Sequence, residues 1–452
     1  MDRRTFIAHV GRAALAGAAA MTTPRAGAAQ EGVARRPNIV LILADDLGYG
    51  DLGYMGNPRI RTPHLDALAA EGVRFPDFHS SGAVCSPTRA GLLTGRYQQR
   101  AGIPMVISAA RHRHVGLDPG EATFAERLQA AGYATALFGK WHLGYLPKFN
   151  PVHQGFDAFR GYVSGNVDYF SHVDQTGRAD WWHGDRLEPE EGYVTHLVTR
   201  HAVRFIEEHR EGPFCLYVAH EAPHYPYQGP GDEADRAVGG KFPVRGSRRD
   251  KAAAYKEMVE AMDASVGQVV AALRRLGLDR QTFVFFFSDN GATPPGSNAP
   301  LRGRKGTLWE GGHRVPAIAW WPGRVPAGGV CEEPTLCLDL FPTFIELAGA
   351  TVPRGLKLDG VSLAPLLLEG ERLGPRTLFW GHGRQRAVRR GRWKLLLGTG
   401  GKGDEPRLFD LAESLEEKHD VAPDSPRRVE SLLAALEAWE EDVGPSTDSS
   451  RE

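Results

Sequence analysis

Residues 38–44 read NIVLILA, a run that is apolar at every position after Asn38. The run shows no alternation of polar and apolar side chains, which is typical of a parallel strand whose two faces are both covered. Asp45 and Asp46 follow it directly. The segment therefore predicts a buried strand of an α/β sheet that ends at a pair of carboxylates.

Three further apolar runs, at residues 133–139, 214–220 and 283–288, show the same pattern. Segments with helix signals alternate with them; the segment at 62–72, for example, has proline at its first helical position and glycine at its end. Alternating helices and buried strands predict an α/β fold with a large, mostly parallel mixed sheet that is flanked by helices.

The pattern changes toward the C-terminus. Residues 376–400 alternate polar and apolar side chains around turns, as antiparallel strands do, and residues 428–442 carry one apolar helical stripe. We therefore expect a main α/β domain at 35–355 and a smaller C-terminal α+β domain at 356–443, with an antiparallel sheet and a closing helix. The polar tail at 444–452 is expected to be disordered.

Composition limits the functions that are open to the chain. Of its 452 residues, 54 are Lys or Arg and 55 are Asp or Glu, so no net field attracts nucleic acid or an anionic membrane. Any attraction for an anionic substrate must therefore be local. Four cysteines are too few for a disulfide framework at this length; Cys331 and Cys337 could pair or remain free thiols.

The first 29 residues have the features of an export signal. A basic start is followed by a stretch rich in Ala and Gly and by small residues at 26–28, which form a cleavage pattern. Arg3 and Arg4 resemble the pair of twin-arginine export, and a general secretory signal is the alternative. We expect a periplasmic or secreted protein without a membrane span, because no later stretch has the roughly 18 apolar residues that a span needs.

Polar side chains follow all four apolar runs. In open α/β sheets, ligands bind outside the carboxyl ends of the strands. Aspartate and asparagine are also common turn residues after strands, so each pair alone has an ordinary explanation. Four runs that end in this way favour a site at one edge of the sheet. The residues concerned are Asp45, Asp46, Lys140, His142, His220, His224, Asp289 and Asn290.

The candidate site residues, to which Arg89 and Lys305 are added here, include two chemical groups. The aspartates and Asn290 offer only oxygen ligands, which suit Ca²⁺ or Mg²⁺ better than Zn²⁺, with solvated turn carboxylates as the alternative. The cationic or proton-donating group could bind a tetrahedral oxyanion, although a surface ion pair or a core histidine is more common for each member alone. That second group comprises Arg89, Lys140, His142, His224 and Lys305.

Cys85 lies in the segment CSPTR, where Ser86 is a predicted N-cap and Pro87 the first helical residue. Arg89 follows four residues after Cys85, roughly on the same helical face. A helix N-terminus with an arginine beside it favours an anionic group. The local sequence leaves three interpretations open: a buried structural cysteine, a nucleophilic thiol, or a thiol that is later modified.

CSPTR followed by AGLLTGR closely resembles the signature of the sulfatase family, in which C-x-P-x-R precedes a short helix. Further blocks resemble sulfatases in family order over residues 37–322, and a C-terminal block resembles the small domain of the family. The resemblance implies an alkaline-phosphatase-like fold and a sulfuric ester hydrolase. The blocks are NIVLILADDLGYGDLG, GKWHLG, APHYP, SDNG, GRKGTLWEGGHRVPAIAW and AVRRGRWKLLL.

The resemblance implies that a formylglycine-generating enzyme oxidises Cys85 to Cα-formylglycine. One hydroxyl of the hydrated aldehyde attacks the sulfur of a sulfate ester, and the second hydroxyl lets the intermediate collapse and release sulfate, an exit that a serine would lack. By the same resemblance, Arg89 holds the hydrate and a calcium ion polarises the sulfate oxygens. The implied calcium ligands are Asp45, Asp46, Asp289 and Asn290.

The remaining site residues also take their roles from the resemblance. Lys140 and His142 match the pair in GKWHLG, and His142 takes the proton when the aldehyde is regenerated. Lys140, His224 and Lys305 bind sulfate, and His224 or Lys305 protonates the leaving oxygen. His220 stays outside this set as a residue that supports the site or the fold.

Two irregular segments are candidates for substrate recognition. Residues 161–193 are rich in aromatic side chains, and Trp182 could stack on a sugar ring or pack beneath the loop. Residues 231–251 are polar and partly basic. We therefore expect a sulfatase that acts on a sulfated carbohydrate or an aryl sulfate. The alternatives are a phosphonate monoester or phosphodiester hydrolase of the same superfamily and a non-catalytic carbohydrate binder.

Overall fold

The structure, a computed structural model, describes residues 36–399 and 405–444. The predicted export signal at 1–29 and the tail from 445 onward lie outside the described residues. The described residues form one compact unit. The domain boundary expected near residue 355 stays a prediction.

The described residues contain short and long strands together with nine α-helices. In chain order the strands are β1 (Asn38–Ala44), β2 (Val73–Arg74), β3 (Phe78–His79), β4 (Ala134–Lys140), β5 (Ala158–Tyr162), β6 (Trp182–His183), β7 (Arg186–Leu187), β8 (Phe214–Ala219), β9 (Thr282–Ser288), β10 (Ala317–Trp320), β11 (Gly329–Val330), β12 (Thr335–Leu336), β13 (Thr377–His382), β14 (Gln385–Arg390), β15 (Trp393–Leu397) and β16 (Arg407–Asp410). The helices are α1 (Pro63–Glu71), α2 (Cys85–Thr94), α3 (Phe124–Ala130), α4 (Val194–Glu208), α5 (Lys251–Arg275), α6 (Glu310–His313), α7 (Leu340–Ala348), α8 (Ala364–Glu369) and α9 (Pro426–Val443).

The large sheet has the strand order β11-β2-β10-β9-β1-β8-β4-β5-β6-β7. β1 pairs in parallel with β8 and β9, and β4 pairs in parallel with β5 and β8. β10 runs antiparallel to β9, and the edge hairpin β6–β7 is antiparallel as well. The four apolar runs of the sequence are thus the adjacent strands β9, β1, β8 and β4, which confirms the predicted mixed and mostly parallel sheet.

Both faces of this sheet are covered, which explains why the strand sequences do not alternate. Along β1, Ile39, Leu41 and Leu43 point into a core shared with α2, α3 and α7, whereas Val40 and Ile42 point into a core shared with α1, α4 and α5. All five side chains are fully buried. Each such burial contributes about 1.5–3 kcal/mol, so a polar residue at any of these positions would be costly.

The start of α2 differs from the prediction. The helix begins at Cys85, with Val84 as its N-cap residue, and no side chain caps it. Ser86, the predicted cap, accepts a hydrogen bond from the backbone N–H of Ile107 at 3.1 Å instead. Because Ser86 is fully buried inside the first turn, its hydroxyl bonds the packed neighbouring segment and not its own helix.

Two further features were not apparent in the sequence. Residues 161–193, expected to be irregular, include the hairpin β6–β7, and they are followed by α4, which the sequence patterns did not predict. All four cysteines are buried free thiols, so Cys331 and Cys337 do not pair. Within the described part of the chain, no helix is both long and apolar enough to cross a membrane.

The C-terminal part contains the expected antiparallel sheet, in the order β13-β14-β15-β16, and the expected closing helix α9. Leu432, Leu436 and Trp439 form the buried stripe of α9, and Trp439 stacks on Phe379 of β13 at 5.3 Å between ring centroids. The Trp380 indole N–H on the same strand donates to the carbonyl of Ser80 at 2.8 Å. The small sheet is therefore packed directly onto the segment that leads into α2.

A buried ionic cluster lies where β15 of the small sheet meets β3 and α6. His79, Glu310 and His313 offer atoms close enough to hold a metal ion, but the ammonium group of Lys394 from β15 lies among them. Its Nζ is 2.8 Å from Glu310 Oε1, 2.9 Å from Glu417 Oε1 and 3.2 Å from His313 Nε2. Burial opposes ionisation of Glu310, yet Lys394 holds the pKa of that carboxyl well below its usual range. Lys394 thus supplies the cation that this cluster needs.

Replacing Lys394 by alanine tests this assignment. The variant would leave two buried carboxyl groups, Glu310 and Glu417, without their shared cation, so we expect the free energy of unfolding to fall by about 3–5 kcal/mol in urea titrations. Lys418→Ala is the matched control, because Lys418 pairs with Glu416 at the exposed surface. That change should cost less than about 1 kcal/mol; equal small losses in both variants would contradict the role of Lys394.

Candidate active site

The carboxyl ends of β9, β1, β8 and β4 lie side by side at one edge of the sheet. The strands are parallel and end at the same level: Leu43 lies opposite Ala219, and Ala219 lies opposite Gly139. Gly139 is required at this point, since its φ is +108° and a Cβ there would lie 2.0 Å from the carbonyl oxygen of Ala219. Polar residues stand at the end of each strand: Asp45 and Asp46, Lys140 and His142, His220 and His224, and Asp289 and Asn290.

Two aspartates at this edge are paired with lysines, one of them buried and the other partly buried. Lys140 Nζ lies 2.5 Å from Asp45 Oδ2, and both side chains are fully buried. Lys305 Nζ, from the loop between β9 and α6, lies 2.6 Å from Asp46 Oδ1. Burial opposes ionisation of Asp46, yet Lys305 and His224 hold its pKa at about 2. Asp46 is therefore charged, and both aspartates lie close to cations that an anionic ligand could also use.

Arg89 connects α2 to the same edge. Its Nε and Nη2 donate to Asp289 Oδ2 at 3.2 and 3.0 Å, and its Nη1 donates to the carbonyl of Lys140 at 3.0 Å. Burial and the nearby Asp45 carboxylate raise the pKa of Asp289 to about 6, although Arg89 opposes this rise. The structure thus places the Arg89 guanidinium at the carboxyl ends of β9 and β4.

The donor set of this edge suits a hard cation. Asn290 Nδ2 donates to Asp46 Oδ1 at 2.7 Å, whereas Asn290 Oδ1 is buried and has no hydrogen-bond partner among the described residues. A buried amide oxygen without a donor is costly unless a cation binds it. Asp45, Asp46, Cys85 and His224 each offer a ligand atom, and these atoms lie within 4.8 Å of one another. Asp45, Asp46 and Asn290 thus offer oxygen atoms that could hold a divalent cation, and Asp289 is a further carboxylate at the same edge.

The turn that carries Asp46 depends on two residues that the sequence analysis did not select. Asp46 has a φ of +65°, an uncommon conformation for a residue with a side chain. The hydroxyl of Tyr255, on α5, donates to Asp51 Oδ2 at 2.5 Å and lies 3.3 Å from the carbonyl oxygen of Asp46. In the sequence, Asp51 is marked only weakly, as the third aspartate after β1. Tyr255 is not marked at all, because its contact with Asp51 joins residues 204 positions apart.

Cys85 lies within this cluster. Its Sγ is 3.3 Å from Lys305 Nζ and 3.5 Å from Asp45 Oδ1, and the residue is only 2% exposed. Burial raises the pKa of the thiol to about 12, although Lys140 and Lys305 oppose the rise. A thiol in this environment is not ionised at neutral pH, which argues against a simple thiolate nucleophile.

His142 has a free proton-acceptor position. Its Nε2 lies 3.0 Å from the carbonyl oxygen of Ile107, so Nε2 carries the hydrogen of the neutral ring. Nδ1 is buried and has no hydrogen-bond partner among the described residues. Burial, followed by the charges of Lys140 and Arg89, holds the pKa of His142 well below its usual range. The neutral ring can therefore accept a proton at Nδ1.

The two histidines after β8 have different surroundings. His224 Nε2 lies 3.7 Å from Asp46 Oδ2, so His224 belongs to the cluster. His220 points to α5 instead, with Nε2 3.0 Å from Ser265 Oγ, and burial lowers its pKa to about 3. The structure therefore brings His224 to the site and leaves His220 as a packed neighbour of α5.

Trp182 is not part of the ion-pair cluster. Its indole N–H donates to Asp180 Oδ1 at 2.6 Å, and the side chain is partly buried. Trp182 lies opposite Gly161 of β5, and Gly161 lies opposite Gly139 of β4. The tryptophan is therefore two strands from β4, at the level where Lys140 ends that strand.

The chain is similar to known proteins over most of its length. The profile of the family described as Sulfatase matches residues 37–350, more than half of the chain. The mouse N-acetylgalactosamine-6-sulfatase is 38% identical over 396 residues, which cover 81% of this chain and 73% of the mouse protein. The human arylsulfatase A is 38% identical over 382 residues, which cover 77% and 71% of the two chains.

A solved structure gives the same result. The protein Ps i-CgsB, crystallised with k-i-k-neocarrahexaose, is 32% identical and superposes with a TM-score of 0.81, covering 92% of this chain and 96% of its own. Its likeness extends over the main sheet and the small sheet together. With the family profile and the two relatives, it shows that the chain belongs to the sulfatase family of sulfuric ester hydrolases.

Proposed function

We propose that the chain hydrolyses the sulfate ester of a sulfated saccharide or an aryl sulfate, with Ca²⁺ and with a formylglycine derived from Cys85. One observation carries the proposal: two buried cations, one partly buried cation and three carboxylates surround a buried cysteine at the carboxyl ends of four strands. Such an arrangement supplies positive charge for a tetrahedral oxyanion and oxygen ligands for a hard cation. The cations are Arg89, Lys140 and Lys305, and the carboxylates are Asp45, Asp46 and Asp289.

Asp45, Asp46, Asp289 and Asn290 would hold the calcium ion. When bound, it supplies a Lewis acid that polarises oxygens of the sulfate group. The unpartnered Asn290 Oδ1 supports this assignment.

Formylglycine at position 85 would supply a geminal diol, one hydroxyl of which attacks sulfur while the other allows sulfate to leave. The raised pKa of the Cys85 thiol favours a modified residue over a thiolate. At 2% exposure, Cys85 would be accessible to a formylglycine-generating enzyme only before the chain folds. The N-terminal pattern supports subsequent export to the periplasm or the medium, with the twin-arginine route favoured.

The remaining residues have roles that follow from their positions. Arg89 binds Asp289, and by the family resemblance it would also hold the hydrate of residue 85. Lys140 and Lys305 place two ammonium groups beside the position of attack and bind sulfate oxygens, together with His224. His142 accepts a proton at Nδ1 when the aldehyde is regenerated, and Lys305 is the protonated group best placed to donate to the leaving oxygen.

The substrate is proposed to be a sulfated saccharide. The mouse relative is named for N-acetylgalactosamine-6-sulfate chemistry, and Ps i-CgsB was crystallised with an oligosaccharide. Trp182 lies at the same sheet edge as Lys140 and offers an aromatic face of the kind that stacks on sugars. A phosphonate ester could occupy the same cation cluster, so the choice between sulfur and phosphorus requires measurement.

Matched esters test the reaction class. We expect a sulfate monoester to be cleaved faster than a phosphonate monoester with the same alcohol, and Cys85→Ala should lower kcat for the sulfate at least about 10³-fold. Cys85→Ser should be sulfated once and then stall, because serine lacks the second hydroxyl; intact-mass spectrometry detects that adduct. Faster phosphonate cleavage, or full activity of Cys85→Ala, would contradict the proposed function.

Calcium dependence is tested with a substitution directly after β9 and a control substitution shortly before it. Asp289→Asn should weaken calcium binding at least about 10-fold in isothermal titration calorimetry, because it removes a charged ligand and leaves Arg89 unpaired. Asp279→Asn is the matched control, since Asp279 precedes the same strand at its amino end. Chelation should abolish turnover of the unaltered enzyme and added Ca²⁺ should restore it; equal calcium affinity in both variants would refute the ligand assignment.

Saccharide recognition is tested at Trp182. Trp182→Ala should reduce turnover of a sulfated oligosaccharide by about 10-fold, because a stacked aromatic face contributes on the order of 1–2 kcal/mol, while a small aryl sulfate is hydrolysed at the normal rate. Trp393→Ala, on the small sheet, is the aromatic control and should affect neither substrate. Equal losses on both substrates would instead indicate a packing role for Trp182.

A further inference from the structure

The loop that carries Lys305 is held by the small C-terminal sheet. The side-chain amide of Gln385, the first residue of β14, uses both of its ends on this loop. Nε2 donates to the carbonyl oxygen of Gly306 at 3.1 Å, and Oε1 accepts from the backbone N–H of Leu308 at 3.0 Å. Because one end must donate and the other accept, only one orientation of the amide satisfies both bonds.

The opposite side of the same turn is fixed to the segment before α2. Gly306 donates its N–H to the carbonyl of Ala83 at 2.8 Å, and Lys305 donates its own to the carbonyl of Ala292 at 3.3 Å. Gly306 adopts a φ of +80°, so the chain reverses direction directly after Lys305. The turn is thus held between the entry to α2 and the amide of Gln385.

This turn determines where the ammonium group of Lys305 lies. Lysine has a flexible four-carbon stem, so the position of Nζ depends on a fixed backbone at residue 305. With the turn in place, Nζ is 3.3 Å from Cys85 Sγ and 2.6 Å from Asp46 Oδ1. A displacement of about 1 Å at a reacting centre can lower a rate about 10²-fold.

We propose that Gln385 is a positioning residue: its amide fixes the turn at 306–308 and thereby holds Lys305 beside residue 85, which makes the small sheet part of the active site. The proposal rests on the proposed function, because it acts through the role given to Lys305. It assigns to β14 a task in catalysis that is separate from closing the core.

The test begins with Gln385→Met, which keeps the length of the side chain and removes both hydrogen bonds. We expect kcat/KM for an aryl sulfate to fall about 10- to 100-fold and the inhibition constant of inorganic sulfate to rise, with calcium affinity and near-UV circular dichroism unchanged. Arg384→Ala, at the exposed neighbouring position, is the matched control and should retain normal activity.

Gln385→Glu adds a readout that a packing role would not affect. Its carboxylate cannot donate to the carbonyl of Gly306, whereas the protonated acid can donate there and accept from Leu308. The activity of Gln385→Glu relative to Gln385→Met should therefore rise as pH falls. His382, in register with Gln385 on β13, and Lys305 are present in both variants, so this ratio reports the new carboxyl group.

The double variant Lys305→Ala with Gln385→Met decides between the outcomes. If Gln385 acts through Lys305, the double variant loses no more activity than Lys305→Ala alone. A loss equal to the product of the two single losses, or a Gln385→Met variant within about twofold of the unaltered enzyme, would overturn the proposal. Full activity of Lys305→Ala would be a separate result, since it would refute the proposed function itself.

Discussion

Three carboxylates buried together at one sheet edge are the constraint on which this structure depends. Asp45, Asp46 and Asp289 would repel one another and would each lose several kcal/mol of hydration without partners. Each is paired instead with a buried or partly buried cation, and the cations come from three different elements: β4, α2 and the loop before α6. The fold must therefore bring distant segments together to keep these charges buried.

The same charges link stability to chemistry. A pair of opposite charges that only stabilised the fold could be replaced by apolar side chains at little cost. Here the paired groups surround Cys85, and Asn290 Oδ1 and His142 Nδ1 are buried without partners among the described residues. Buried polar atoms that have no hydrogen-bond partner and lie near an ion-pair cluster indicate groups that act on a ligand. The small sheet shares this function, because it holds the loop of Lys305 on one side and the entry to α2 on the other.

Local sequence patterns predicted the four central strands and the polar residues that follow them, because burial on both faces and a turn after a strand are local properties. The cluster around Cys85 could be predicted only through the family resemblance, since strand order is not written in the strands themselves. The sequence predicted Ser86 as a cap. In the structure its hydroxyl accepts a hydrogen bond from the backbone N–H of Ile107, a contact that the local sequence does not show. Tyr255 and Gln385 gave no signal, because their contacts join residues far apart in the chain.

The central claim is that Cys85 is the precursor of a modified residue within a site built for a tetrahedral oxyanion. Mass spectrometry of the tryptic peptide 75–89, taken from active enzyme produced in cells with a formylglycine-generating enzyme, tests it most directly. The account predicts that sulfur is lost from residue 85 and replaced by an aldehyde oxygen, with activity proportional to the modified fraction. Fully active enzyme that carries only unmodified Cys85 would contradict it.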